Sequence, residues 1–445
     1  MSSRTPAEKI EFVGGFESTY LPHHDRDVFE TTRHDECRDD DLALLQACGV
    51  QRSRYPVRWH RVEPEPGVFD WSDTDATFDS LAARGIEPIV DLVHHTSYPG
   101  WLTRGFADER FHEAYVGYCV RFAQRYPQTR AYTLFNEPLP TLFLCSHEAI
   151  WPPYERGTQS FAAMLGNVLP AVAEVAAIYR DLLPRAEHVY VDTCEHHGSD
   201  QSSHGVAHSQ MANGRRFFVL DALLGQADEQ DEFARQVLEH GGASLFELPP
   251  LTIDVLGLDY YAHGEWWYSG EGGMTPSPEP LGLAGVAAHY GDRYDARLML
   301  SETNIRGFAT DRASWLKYTL EQCELLRAQG YPLRSYCWFP FVDSCDWNSL
   351  LHRCESSIDP VGVVCLDEQM DRRLSVMTLA YTRAACGAPA ADLPAFRYRL
   401  PVSRWLRGWS AQTAHWEWLD PPDDDVMRAD HHDTELELRI HDLTA

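Results

Sequence analysis

Positive charge is scarce in this chain of 445 residues: 38 Lys and Arg stand against 67 Asp and Glu, a formal net charge of −29. That balance disfavours a nucleic-acid phosphate backbone or an anionic membrane surface as partner and leaves a small neutral ligand as the expected one. A run of about 18 apolar residues, the least that spans a bilayer core, is missing. The opening MSSRTPAEKIEF lacks the apolar stretch of a secretory signal, so a soluble cytoplasmic protein is expected. Paired cysteines are missing too. The 11 cysteines are an odd number without a CxxC, and Cys48, Cys119, Cys194 and Cys337 lie inside apolar runs, as structural thiols in a reducing compartment do. No GxGxxG follows the first β-rich run, and there is no HExxH.

What the chain does have is alternation. Short β-rich runs recur at 12–19, 55–62, 87–95, 131–138, 188–197, 253–261, 297–304 and 333–341, each followed by a stretch with helical spacing, several of which end in glycine. Strand and helix alternating in this way, with near-continuous apolar strands, predict a parallel sheet covered by helices, most simply a closed (β/α)8 barrel over residues 1–387. Residues 388–445 form a C-terminal extension expected to fold on the barrel or on a partner subunit. In it Leu436, Leu438 and Ile440 alternate with charged residues like one half-buried strand.

In such a barrel, active sites collect where strands end at the C-terminal face. Glu17, Arg54, His94, His95, Asn136, Glu137, His196, Tyr261 and Glu302 all fall at or near those ends. Glu137 closes the fourth predicted strand, in TLFNEP, and Glu302 the seventh. Two facing carboxyls are the machinery of glycoside hydrolysis, one as acid and the other as nucleophile or base. The long aromatic segments 139–157 and 262–282 are expected to rim the pocket.

TLFNEP resembles the TFNEP motif of clan A glycoside hydrolases, and from about Phe12 to about Ala385 the chain is most similar to glycoside hydrolase family 1, the β-glucosidase and β-galactosidase family. GVQRSRYPVRWHR reproduces that family's G-V-x-x-x-R-x-x-x-x-W-x-R, VHHTSYPGWL is similar to YHWDLPQWL, DVLGLDYY to DFLGINYY, and LMLSETN to ITENG. The resemblance implies a retaining double displacement without cofactor or metal. Glu302 would be the nucleophile beside Arg54 and Tyr261, Glu137 the acid/base, Asn136 a donor to the sugar 2-hydroxyl and His94 a sugar contact.

Departures are equally visible. The family's first-strand glutamine is absent from GGFESTYLPHHDRD, where Glu17, His23 and His24 offer other polar groups. A buried Glu17 is expected either to pair with a cation, an arginine or a protonated histidine such as the nearby His23 or His24, or to carry a raised pKa. The family's WSLLDNFEW is here WFPFVDSCDWNSL, making Asp346 and Trp347 the expected counterparts of its sugar-gripping pair. Trp338, Trp347, Trp266 and Trp267 are candidate platforms for a sugar face. Two other readings stand beside this one. A metal-dependent hydrolase would use the histidine pairs 23/24, 94/95 and 196/197 with His204 and His208. A carbohydrate-binding pseudoenzyme would be expected to have lost one of the two carboxylates. Self-association into a homo-oligomer is left open.

Overall fold

The computed structural model describes residues 9–271 and 273–397, together with the backbone of two paired strands, Trp409–Ser410 and His415–Trp416. The predicted runs form β1 (Glu11–Gly15), β2 (Arg52–Pro56), β3 (Glu87–Asp91), β4 (Ala131–Thr133), β5 (Glu187–Thr193), β6 (Val255–Asp259), β7 (Arg297–Glu302) and β8 (Leu333–Trp338). All are parallel, neighbours in sequence are neighbours in space, and β1 pairs with both β2 and β8 to close the barrel. The covering helices are α1 (His34–Ala47), α2 (Ser72–Ala83), α3 (Phe111–Arg125), α4 (Thr158–Leu182), α5 (Ser203–Leu223), α6 (Gly282–Arg293), α7 (Ala309–Ala328) and α8 (Val376–Ala385). The expected (β/α)8 architecture is the one adopted.

Successive strand side chains face opposite ways, which divides the core in two. Val13, Ile89, Ala131, Val189, Val191, Met299, Cys337 and Phe339 fill the barrel interior, while a much larger apolar cluster lies between strands and helices. Among the described residues α4 is the helix long and apolar enough by composition to cross a membrane, its best window reaching a mean hydropathy of 1.7, but 61% of that window is buried within the fold.

Most strands end before their predicted runs do, and β2 differs at its start as well. β2 begins at Arg52, three residues before the predicted run, and Trp59–Val62 is a short helix. Pro56 ends the strand because it has no N–H to donate onward. The extension starts on the barrel's own surface, where Lys317 Nζ of α7 donates to the carbonyls of Ala390 (2.8 Å), Ala391 (3.0 Å) and Leu393 (3.2 Å). The strand expected around Leu436, Leu438 and Ile440 lies outside the described residues.

Candidate active site

Inward positions on β2 and β6 continue the barrel's period of two upward, which places Arg54, Asp259 and Tyr261 over the interior. Glu302 should not join them: Leu298 and Leu300, of the same parity on β7, belong to the outer apolar cluster. A β-bulge changes its direction. Leu300 pairs with Leu258, yet Glu302 pairs with Asp259, so two residues of β7 oppose one of β6. Ser301 and Glu302 are thereby both brought to the interior. The Ser301 hydroxyl donates to Asp259 Oδ1 at 2.6 Å, and Glu302 meets Arg54 Nη1 at 2.7 Å and the Tyr261 hydroxyl, also at 2.7 Å. Arg54 also bonds Asn136 Oδ1, and its Nη2 lies 3.7 Å from Asp91. Burial opposes its charge, but Glu302, Asp259 and Asp91 raise its pKa further and hold it protonated.

Glu137 reaches the same floor from β4. Beyond Thr133 the chain bends and rejoins the ladder, where Asn136 N donates to Val93 O (2.8 Å) and Glu137 N to Val191 O (3.1 Å). Glu137 then takes φ 45°, a left-handed value that costs a non-glycine residue about 1–2 kcal/mol, and Pro138 opens the short helix Pro138–Ser146. This turn aims the carboxyl across the mouth toward Glu302. His95 Nε2 lies 3.6 Å from its Oε2. Burial first, then the charges of Glu302, Asp259 and Asp192, push the Glu137 carboxyl well above the usual carboxylate range. Asp192, buried at the end of β5, is itself raised to about 7 by burial, opposed by hydrogen bonds from Tyr190 Oη, Thr193 N and Leu139 N.

Glu17 is buried, and its partner is neither His23 nor His24. His94 Nε2 stands 3.4 Å from Glu17 Oε1, while His94 Nδ1 is 2.8 Å from Asp91 Oδ2. Burial alone would raise Glu17, but the charge of the neighbouring His94 brings it down to about 2; burial likewise opposes charge on His94, yet Glu17 and Asp91 lift its imidazole to about 10. His94 therefore serves as a buried cation beneath Glu17, and His95, not His94, lines the cavity.

The carboxyls open into a cavity of about 690 Å3, large enough for a sugar with a substantial aglycone. Both expected rims contribute: the first largely as the helix Pro138–Ser146, with Trp151 beyond it, and the second as two strands, Glu265–Tyr268 and Met274–Pro276, of a small sheet with His196–Ser199. Trp347 and Trp266 lie on the cavity wall. Trp338 does not, correcting its reading as a platform. It is fully buried, its indole N–H bonded to Val361 O at 2.8 Å, because β8 turns that position outward toward the helices. Asp346 is likewise absent from the wall. Its oxygens are taken by Arg26 and by the backbone N–H groups of Ser356 (3.0 Å) and Ser357 (2.8 Å), so it ties its own loop together. Trp267 packs toward Gly198 instead of lining the cavity.

Trp347 Nε1 and Ser344 Oγ on the cavity wall, and Asn136 Nδ2 beside Arg54, are buried and lack hydrogen-bond partners among the described residues. Such groups cost free energy unless a ligand satisfies them, which suits a polyhydroxylated one. Sequence reasoning passed over Ser344, Asp91 and Asp192, whose residue types carry no motif of their own.

The histidine pairs do not assemble a metal site. Among the described residues, the set of three ligand atoms within 4.8 Å of one another comes from Glu137, Asp259 and Glu302, without a histidine. Arg54, bonded to Glu302, already supplies positive charge to that set.

A closed barrel with an arginine-bound and tyrosine-bound carboxylate at the end of β7, facing a second carboxyl at the end of β4, is the architecture of a glycoside hydrolase. The chain belongs to glycosyl hydrolase family 1, whose profile matches residues 26–264. Among curated relatives, β-galactosidase BbgII of Bifidobacterium bifidum is 33% identical over 107 residues, 22% of this chain and 15% of that protein. "Probable inactive beta-glucosidase 14" of Oryza sativa subsp. japonica is 20% identical over 255 residues, covering 50% of this chain and 48% of the relative, and these alignments thus span less than half of each relative's length. Aryl-phospho-β-D-glucosidase BglC of Bacillus subtilis is 21% identical over 372 residues, 69% of this chain and 77% of that one. The solved structure of the family 1 β-glucosidase from Thermotoga maritima superposes with a TM-score of 0.70 at 15% identity, covering 85% of this chain and 97% of its own, a likeness of fold.

Proposed function

We propose that the protein is a retaining β-glycosidase acting on a neutral sugar. The observation that carries this reading is the separation of the carboxyls: oxygens of Glu137 and Glu302 lie within 4.8 Å of each other. Retaining enzymes hold their pair about 5–5.5 Å apart, whereas inverting ones leave about 6.5–9.5 Å for a water molecule.

In the first half-reaction, Glu302 attacks the anomeric carbon as the bond to the leaving oxygen breaks, and Glu137 delivers its proton to that oxygen. In the second, Glu137 takes a proton from water, whose oxygen bonds the anomeric carbon, and Glu302 departs with its electron pair as a carboxylate. Arg54 and Tyr261 hold the nucleophile in line, and the free Asn136 amide is placed to donate to the sugar 2-hydroxyl as positive charge develops. Glu17 gives the sugar an ionised acceptor at the cavity floor. The names of the β-glucosidase relatives support the substrate class. Proton NMR of an aryl β-glycoside digest, run across several neutral sugars, tests the reading: the β-anomer should appear first. Initial formation of the α-anomer would reject retention, and no turnover of any β-glycoside would reject the activity.

A further inference from the structure

The string DFLGINYY carries asparagine where this chain carries Asp259, and the structure places that carboxyl within 4.8 Å of both Glu137 and Glu302. Its Oδ1 accepts from Ser301 Oγ at 2.6 Å, while Oδ2 is buried without a hydrogen-bond partner among the described residues, and the charge of Asp259 bears on Glu137. Three buried carboxyls so close cannot all be ionised, since like charges held together out of water force protons to be retained. Arg54 compensates one of them directly, at Glu302. Resting on the glycosidase reading above, we propose that Asp259 is a positioning residue which shares one proton with Glu137 and keeps the acid loaded until the glycosyl-enzyme forms.

The groups facing Glu137 are His95 from the loop after β3, Asp192 from β5, Asp259 and Tyr261 from β6 and its continuation, and Glu302 from β7. Asp259 also faces Arg54 of β2, but burial and the charge of Glu302 outweigh the pull of that guanidinium and hold the Asp259 carboxyl well above the usual range. His95 is held neutral by its burial and by the neighbouring His94 cation, so it does not offset the carboxyls. The Glu137–Asp259 pair therefore holds its proton in the free enzyme. When Glu302 becomes an ester it loses its charge. The proton has then left with the aglycone oxygen, and the emptied pair faces one fewer anion at the moment when Glu137 must act as base. Water returns the proton to the pair in the second half-reaction, and release of Glu302 as carboxylate restores the starting state.

Replacing Asp259 by asparagine removes the like charge and gives Glu137 an N–H donor. The alkaline limb of kcat/KM for Asp259→Asn should fall by about one pH unit or more. A purely structural role would scale the whole profile or lower Tm without moving that limb. Infrared titration of protonated carboxyls provides a readout without turnover: the native band should persist above neutral pH and lose its midpoint downward in Asp259→Asn. Glu137→Gln, which retains Asp259, should also lower the midpoint and serves if the first variant does not fold. Unchanged midpoints in either variant overturn the shared proton. A shifted infrared midpoint in a protein that cleaves no glycoside would instead uphold the pair and reject the glycosidase reading.

Discussion

His94 stands 3.4 Å from Glu17 and 2.8 Å from Asp91, so one buried imidazole is clamped between carboxylates from the ends of β1 and β3. A carboxyl depressed from 4.5 to about 2 contributes stability above 4.5 that fades as pH falls toward 2. An imidazole raised from 6.5 to about 10 contributes stability below 6.5 that fades as pH rises toward 10. The Tm difference between the native protein and Glu17→Gln should therefore be greatest between pH 4.5 and 6.5 and narrow on either side. A difference independent of pH in thermal melts would remove the ion pair from the account.

The two carboxylates should fail differently. Glu302→Gly is expected to abolish turnover of aryl β-glycosides, with azide or formate partly restoring it and yielding the inverted product. Glu137→Ala should cost about 10²–10⁴-fold on substrates with poor leaving groups and far less in the glycosylation of activated ones, which need little acid help. Leaving-group dependence of kcat/KM separates the two; equal losses across the series would contradict the assignment.

Trp338 and Trp347 make an opposed pair. Trp347→Ala, on the cavity wall, should raise KM with a smaller effect on Tm, whereas Trp338→Phe should leave KM unchanged and lower stability by about 1–3 kcal/mol through the unsatisfied Val361 carbonyl. Steady-state kinetics and denaturant melts of the two variants measure both effects.

Chelation should leave activity intact, because each step of the proposed reaction uses protein carboxyls and water. Prolonged treatment with a chelator followed by assay and elemental analysis checks this. Activity lost on chelation and restored by zinc would revive the histidine reading.

Specificity should favour neutral sugars. Glu17 is ionised at the cavity floor, and Arg306 on the wall is held by Asp359 at 2.6 Å. A 6-phospho-β-glycoside is expected to turn over at least tenfold less efficiently than its neutral parent, although one relative is named an aryl-phospho-β-D-glucosidase. Because Asp346 is turned into its own loop, Glu17→Gln alone should reorder neutral sugars, moving KM ratios more than kcat. Efficient turnover of the phosphorylated substrate would sink this prediction.

The amino-acid sequence by itself determined the barrel, because eight apolar runs alternating with helical stretches leave parallel strands one economical way to be covered. It also determined which strands lead to Arg54, Glu137, Tyr261 and Glu302, since those residues lie in recognisable strings. Only tertiary structure decided where the side chains go. Period two assigns Glu302 to the outer face with Leu300; the bulge at Ser301, invisible in a single strand, turns it inward against Arg54. Adjacency in sequence suggested His23 or His24 for Glu17, yet barrel closure brings His94 there from 94 − 17 = 77 positions away. Trp338 and Asp346 read as sugar contacts from their place in a motif. Strand parity buries the one and Arg26 with two backbone N–H groups claims the other, because contacts are set by direction and by competing partners, neither of which a string of residues records.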